Sequence, residues 1–210
     1  ITSGMGQELA PRLSRLGFQL GDEIFLRVFK EESELEVWLK PEGERYFKIF
    51  KVFRLTAWAG TVGPKLREGD GQSPEGFYYV SLNRMRPDTQ HHLGIDLGFP
   101  NDFDSHHNRT GSDLMIHGGA GAAGGFAVSP EHMSEIYTLC EAALKNGQKY
   151  FRVHALPFRM TDKRMEQEAQ RGSRWFDFWV NLKEGYDFFE NVNYPPDVSI
   201  SGDDYAYRLH

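Results

Sequence analysis

The sequence predicts an α+β fold: a mainly β, sandwich- or barrel-like core built from the strands before residue 128, with helices packed around its end. Apolar residues recur with period two through residues 23–58 and again from Phe77, and with helical period after Ser129 and after Arg174. Glycine and proline gather between those runs instead of inside them, which marks where elements stop.

Residues 7–18 read as a short amphipathic helix, with Leu9, Leu13 and Leu16 near helical spacing. From Glu23, Ile24, Leu26 and Val28 alternate against Phe25, Arg27 and Phe29. Leu35, Val37 and Leu39 then alternate against Glu34, Glu36 and Trp38, so the two runs form a hairpin across Lys30-Glu31-Glu32. Pro41-Glu42-Gly43 turns the chain into a longer strand at 46–58, rich in Phe and β-branched residues. Gly60, Gly63, Pro64, Gly69, Gly71, Pro74 and Gly76 exclude a regular element over 60–76. Strand character returns at 77–82, and 83–112 is a polar stretch holding His91, His92, His106 and His107.

Residues 114–116 form a short buried strand that runs directly into His117 and the glycine-alanine segment 118–125. Ser129 caps a helix with Pro130 at its first position and Met133, Ile136, Tyr137, Cys140, Ala143 and Leu144 on one face; Asn146-Gly147 ends it. A strand at 150–156 follows, then Thr161 as cap of a helix over 162–170. A strongly amphipathic helix at 174–190 carries Trp175, Phe178, Trp179, Leu182, Tyr186 and Phe189. Its aromatic stripe reads as core or docking surface before substrate platform. The last twenty residues, with Pro195-Pro196, read as an extended tail. There is no repeat and no dividing linker, so the organisation is a lead-in at 1–22, a core at 23–160 and C-terminal helices and tail at 161–210.

With 210 residues, 40% hydrophobic and 14% aromatic, the chain can bury enough apolar surface to offset the entropy of ordering. A net charge of -6 lacks the basic stripe that a phosphate backbone requires, so nucleic acid is not an expected partner. No apolar run reaches the roughly 18–20 residues of a membrane span. The start at Ile1, without a basic and then apolar leader, reads as a mature secreted form or a trimmed chain. One cysteine, Cys140, cannot form an internal disulfide and falls on an apolar helix face, where it reads as a small buried hydrophobe.

The segment Ser112-Asp113-Leu114-Met115-Ile116-His117-Gly118-Gly119, continuing to Gly124-Gly125-Phe126-Ala127-Val128, resembles the signature of the YkuD-type L,D-transpeptidases, and more closely their YafK-like branch. Gly63-Pro64-Lys65, Arg67-Glu68-Gly69-Asp70, Pro74-Glu75-Gly76-Phe77-Tyr78, Glu135-Ile136-Tyr137 and Pro157-Phe158-Arg159-Met160-Thr161 agree with that branch and keep its order. The resemblance implies a cell-wall domain at a periplasmic or otherwise extracytoplasmic address. It also implies a cysteine thiolate, paired with a histidine, that attacks a stem-peptide carbonyl and passes the acyl group to an amine or water. The family's histidine falls on His117 and its nucleophile on Gly125, which has no side chain; two further family positions fall on Ala120 and Ala122. The resemblance thus gives His117, the vacant Gly125 and Asp113 as the catalytic set, and Gly118, Gly119, Gly124, Phe126, His92, Arg67 and Glu75 as substrate-binding residues.

Thiol acyl transfer is not possible with glycine at 125, because a base cannot activate an absent nucleophile. The expected function is a domain that binds peptidoglycan stem peptides or a cell-wall-linked protein. One alternative is a hydrolase of an envelope polymer with His117 as general base and Asp113 or Glu75 assisting; another is an inactivated variant of a working L,D-transpeptidase. The glycine-alanine segment lacks the lysine of a phosphate loop, although its main-chain amides can still form an oxyanion hole or anion nest. His91, His92, His106 and His107 with Asp96, Asp102, Asp104 and Asp113 offer metal-ligand chemistry, but adjacent histidines rarely face one ion and no helical H-E-x-x-H spacing occurs. No metal site and no cofactor are expected. Glu68, Asp70 and Glu75 read as loop structure before a glycan-cleaving acid/base pair.

Overall fold

Strand β1 (Glu23–Phe29) pairs antiparallel with β2 (Glu34–Lys40), and β2 with β3 (Lys48–Trp58), so the predicted hairpin and the longer strand after it form one meander. The computed structural model describes residues 2–209. It adds β4 (Gly76–Val80), a 3₁₀ turn (Leu82–Arg84), β5 (Met85–Arg86), β6 (His92–Asp96), β7 (Met115–Gly118), β8 (Phe126–Val128) and β9 (Phe151–Leu156) to a single sheet in the order β4-β9-β1-β2-β3-β8-β7-β6-β5. The end strands β4 and β5 are joined through residues 81–84 alone, and the sheet curls into a nearly closed, barrel-like form. The α+β expectation with a mainly β core holds.

Helix α1 (Thr2–Arg15) starts earlier than the leucine spacing predicts; Leu9 and Leu13 are buried, but Leu16 lies beyond the helix and is exposed. Helix α3 (Pro130–Lys145) is capped by Ser129, whose side chain accepts from the His132 N–H, and its predicted apolar face is buried against β1, β6 and β7. Helices α4 (Asp162–Arg171), capped by Thr161, and α5 (Phe176–Val192) follow β9. Trp179, Leu182 and Tyr186 of α5 pack on Phe29, Phe77 and Phe158, making most of the aromatic stripe a core element.

The expectation for the tail is corrected, and two other regions gain detail. The 83–112 stretch is not irregular: it contains β5, β6 and α2 (Asp102–His106), the last closed by a capping box between Asn101 and Asp104. The extended tail is a hairpin of β10 (Asp197–Ser201) and β11 (Asp204–Arg208), bound to the sheet by Arg152–Asp197 at 2.6 Å and by Phe77 against the Tyr205 and Tyr207 rings. β1 has no solvent face, since helices cover both sides. Arg27 is buried among Phe29, Trp38, Tyr186 and Phe189, and it pairs with Glu36 and Glu190.

One buried ion pair ties β1 to the glycine-rich loop and to α5. Lys30 and Glu75 are both fully buried. Lys30 Nζ donates to Glu75 at 3.0 Å and to the carbonyls of Gly63 and Ser73 at 2.8 and 2.9 Å. Glu75 also accepts from the Gly63 N–H at 2.6 Å and from Trp179 Nε1 at 2.8 Å. Every polar atom of the pair is satisfied, which a buried charge requires.

Removing one member leaves an uncompensated charge, so Lys30→Met or Glu75→Gln is expected to lower the unfolding free energy by about 3–5 kcal/mol in chemical denaturation. The double variant should lose clearly less than the sum; additive losses would show that the two residues act independently. A second prediction concerns His154 on β9, which is buried between the Phe25 and Phe77 rings at 4.6 Å with no partner for either ring nitrogen among the described residues. Burial, aided by Arg27 and Arg152, pushes its pKa well below 6.5. Above pH 6.5 the ring is neutral whether folded or unfolded. Below it only the unfolded chain takes the proton, so stability falls with pH by about 1.4 kcal/mol per unit toward the folded-state pKa. His154→Leu should flatten the stability profile below pH 6.5 relative to the parent; parallel profiles would refute this.

Candidate functional site

Strand β7 carries His117 to the middle of the β6-β7-β8 edge, pairing antiparallel with β6 (Gly94 opposite His117) and parallel with β8 (His117 opposite Ala127). A parallel pair needs a return connection, and here it is only residues 119–125, which double back along the strand they have just left. That path explains the composition of the segment. Gly119 and Gly124 adopt φ of +148° and +159°, which side chains rarely allow, and small residues let the return lie close to β7. Its ends are fixed: the Gly119 N–H donates to Val128 at 2.8 Å, Thr56 Oγ1 donates to the Gly119 carbonyl at 2.6 Å, and Ser73 Oγ donates to the Gly125 carbonyl at 2.7 Å. The amides of Ala120 to Gly124 have no partner among the described residues, and Ala120, Gly121 and Ala123 are exposed while Gly124 is buried.

The approach is closest at Gly125. A Cβ placed there would lie 2.1 Å from the Met115 carbonyl oxygen and 3.0 Å from the Met115 nitrogen, both main-chain atoms of β7. The position is therefore closed to any side chain unless the strand moves.

His117 is 5% exposed, stacks on His91 with centroids 4.2 Å apart, and has Nδ1 3.3 Å from the Gly118 carbonyl. Burial lowers its pKa below the ordinary histidine value; the Gly118 carbonyl opposes that shift and His91 reinforces it. The ring is neutral at physiological pH and suited to accept a proton or hydrogen bond.

The other predicted residues separate into groups. Gly118, Gly119, Gly124 and Gly125 gather with His117 on β7 and its return loop. Asp113 is exposed, at φ +54° and 3.3 Å from Ser112 Oγ, and has no contact with His117 among the described residues. His92 turns away to Ser134 on α3, with Nε2 2.6 Å from Oγ. Of the expected substrate-binding residues, Phe126 is fully buried in the barrel core, and Glu75 is enclosed by Lys30, Gly63 and Trp179. Arg67 is exposed and lines a cleft beside the 60–76 loop. His106 and His107 both reach Asp203 in the C-terminal turn, far along the chain from His91 and His92, so adjacency in sequence does not gather the four on one ion. Burial pushes the Cys140 thiol well above its ordinary pKa, which leaves it unreactive.

Sequence reasoning missed His91, Ser73 and Thr56. His91 belonged to a histidine pair but gave no sign of which member meets His117. Ser73 and Thr56 act from other elements through their hydroxyls, and no spacing rule connects them to the return loop.

No family model matches the chain. Two curated proteins, each named "Putative L,D-transpeptidase YafK", from Escherichia coli strain K12 and Escherichia coli O157:H7, are 39% identical over 181 residues, covering 86% of this chain and 72% of the relative. Among solved structures, the helical cell shape determining protein Pgp2 (K307A mutant) from Campylobacter jejuni superposes with a TM-score of 0.50 at 18% identity. That match covers 90% of this chain but 65% of the Pgp2 chain, and it speaks to fold alone. Identity at this level over most of both sequences settles the kinship: the chain belongs to the YafK-like family of L,D-transpeptidases.

Proposed function

We propose that this chain is a cell-wall-associated, L,D-transpeptidase-like domain that binds peptidoglycan stem peptides, or a protein linked to them, without cysteine-dependent acyl transfer. The observation that carries the reading is the closed position at Gly125, where the Met115 carbonyl stands 2.1 Å from the site of a Cβ. Acyl transfer in the family manner forms a bond between a cysteine sulfur and a substrate carbonyl, with the histidine taking the thiol proton. Here the imidazole is retained and buried, while the space for the sulfur is filled by main chain. A working enzyme altered only at its nucleophile would keep room for the missing side chain, so the crowding favours a binding domain over an inactivated variant. The envelope-polymer hydrolase is also disfavoured, because Asp113 does not contact His117 and Glu75 is engaged in the core.

The unpartnered amides of the return loop and the neutral His117 offer hydrogen bonds to a peptide carbonyl or carboxylate. A periplasmic or otherwise extracytoplasmic address follows from that ligand. Among the described residues no helix is long and apolar enough to cross a membrane.

Calorimetry with disaccharide-tetrapeptide muropeptides should detect binding at about 1 mM or tighter; heat indistinguishable from dilution would refute the reading. Gly125→Ala should cost about 1–3 kcal/mol of stability, because the added methyl meets main chain. Gly125→Cys should form no covalent adduct with muropeptides by intact-mass spectrometry. A Gly125→Cys protein as stable as the parent that acquires an acyl mass would overturn it.

A further inference from the structure

The 60–76 loop and the start of α5 enclose a cleft of about 440 Å³, whose walls include Val62, Pro64, Arg67, Gln72, Arg174 and Trp175. Two guanidinium groups open on it. Arg67 has no ion-pair partner among the described residues, and Arg174 is held against the Trp175 ring at 4.4 Å, again without a carboxylate. The one acidic side chain on the wall, Asp70, is occupied by Lys65 Nζ at 2.7 Å and by the N–H groups of Leu66, Arg67 and Gln72 at 2.9, 3.1 and 3.2 Å. The cleft is therefore locally positive on a chain of net charge -6.

Its shape is fixed. Gly63 lies so close to the Trp175 indole that a Cβ there would be 2.6 Å from Nε1, and the Gln72 side chain is tied to the Thr61 and Gly63 carbonyls. The Gln72 main-chain oxygen is 3.9 Å from the Cβ position of Gly124, which puts one wall residue of the cleft beside the return loop that follows His117. Guanidinium groups grip carboxylates through paired N–H donors, and the indole with Val62 and Pro64 supplies an apolar face that a bare inorganic anion would not use.

We propose that this cleft is the carboxylate-binding part of the site, with Arg67 and Arg174 holding a free carboxylate of a peptide whose aliphatic arm lies on Trp175. The assignment rests on the stem-peptide reading above and adds where the charged end of the ligand sits.

Calorimetry on the full chain with the tetrapeptide L-Ala-γ-D-Glu-meso-diaminopimelate-D-Ala tests it. Arg67→Gln and Arg174→Gln, both at exposed positions, should each weaken binding about tenfold, as expected for loss of a charge-assisted hydrogen bond. Arg54→Gln makes the same charge change at an exposed position outside the cleft and should bind like the parent. The peptide with its carboxylates amidated should bind the parent as weakly as the free acid binds the arginine variants. Unchanged affinity in both cleft variants would overturn the proposal while leaving the stem-peptide reading in place. Failure of the parent to bind either peptide would sink both. Inorganic phosphate competing at equal affinity would replace the peptide assignment with a general anion site.

Discussion

The Lys30–Glu75 pair is the constraint on which the candidate site depends. Desolvating two charges is costly, and burial alone pulls the Lys30 pKa down while Glu75 opposes it. The arrangement persists because each donor and acceptor has a partner and because those partners lie on different elements. Lys30 follows β1, Gly63 and Ser73 belong to the loop, and Trp179 belongs to α5. A loop with seven breakers has little reason of its own to hold one conformation, since glycine loses the most freedom on ordering. Here its carbonyls are required to satisfy an ammonium group, so it is ordered by electrostatics and not by propensity. Ser73 then hands that order on. Its carbonyl accepts from Lys30, and its hydroxyl accepts from the Ala59 N–H and donates to Gly125. The conformation of the glycine at the centre of the motif is thus coupled to a salt bridge in the core.

Much of this was legible from the residues. The first hairpin, the Ser129 and Thr161 caps and the buried face of α3 follow from period and capping chemistry, which act locally. The C-terminal hairpin was not legible because its stability is tertiary: Asn181 brackets the Tyr205 backbone from both sides, and Phe103 stacks on the Tyr205 ring at 3.9 Å. Asn101-x-x-Asp104 did carry a readable cap signal, obscured by the surrounding histidines and short elements. At the site, His117 and the glycines lie together on β7 and its return loop, as their adjacency in sequence dictates. Motif proximity does not tell which way Phe126 points from its strand, or whether Glu75 is a ligand group or the counter-ion of a buried lysine.

The polar groups of the candidate site are in unequal states. The imidazole is buried and stacked on His91, whereas in the return loop Ala120, Gly121 and Ala123 are exposed, Ala122 is half-buried and Gly124 is buried.

The close approach of Gly125 to Met115 governs what residue 125 can accept. Here a Cβ would stand 2.1 Å from a main-chain oxygen, so any larger residue at 125 requires β7 or the return loop to shift. Tolerance at this position is thus set by the backbone of the neighbouring strand and not by side chains that could repack around a new one.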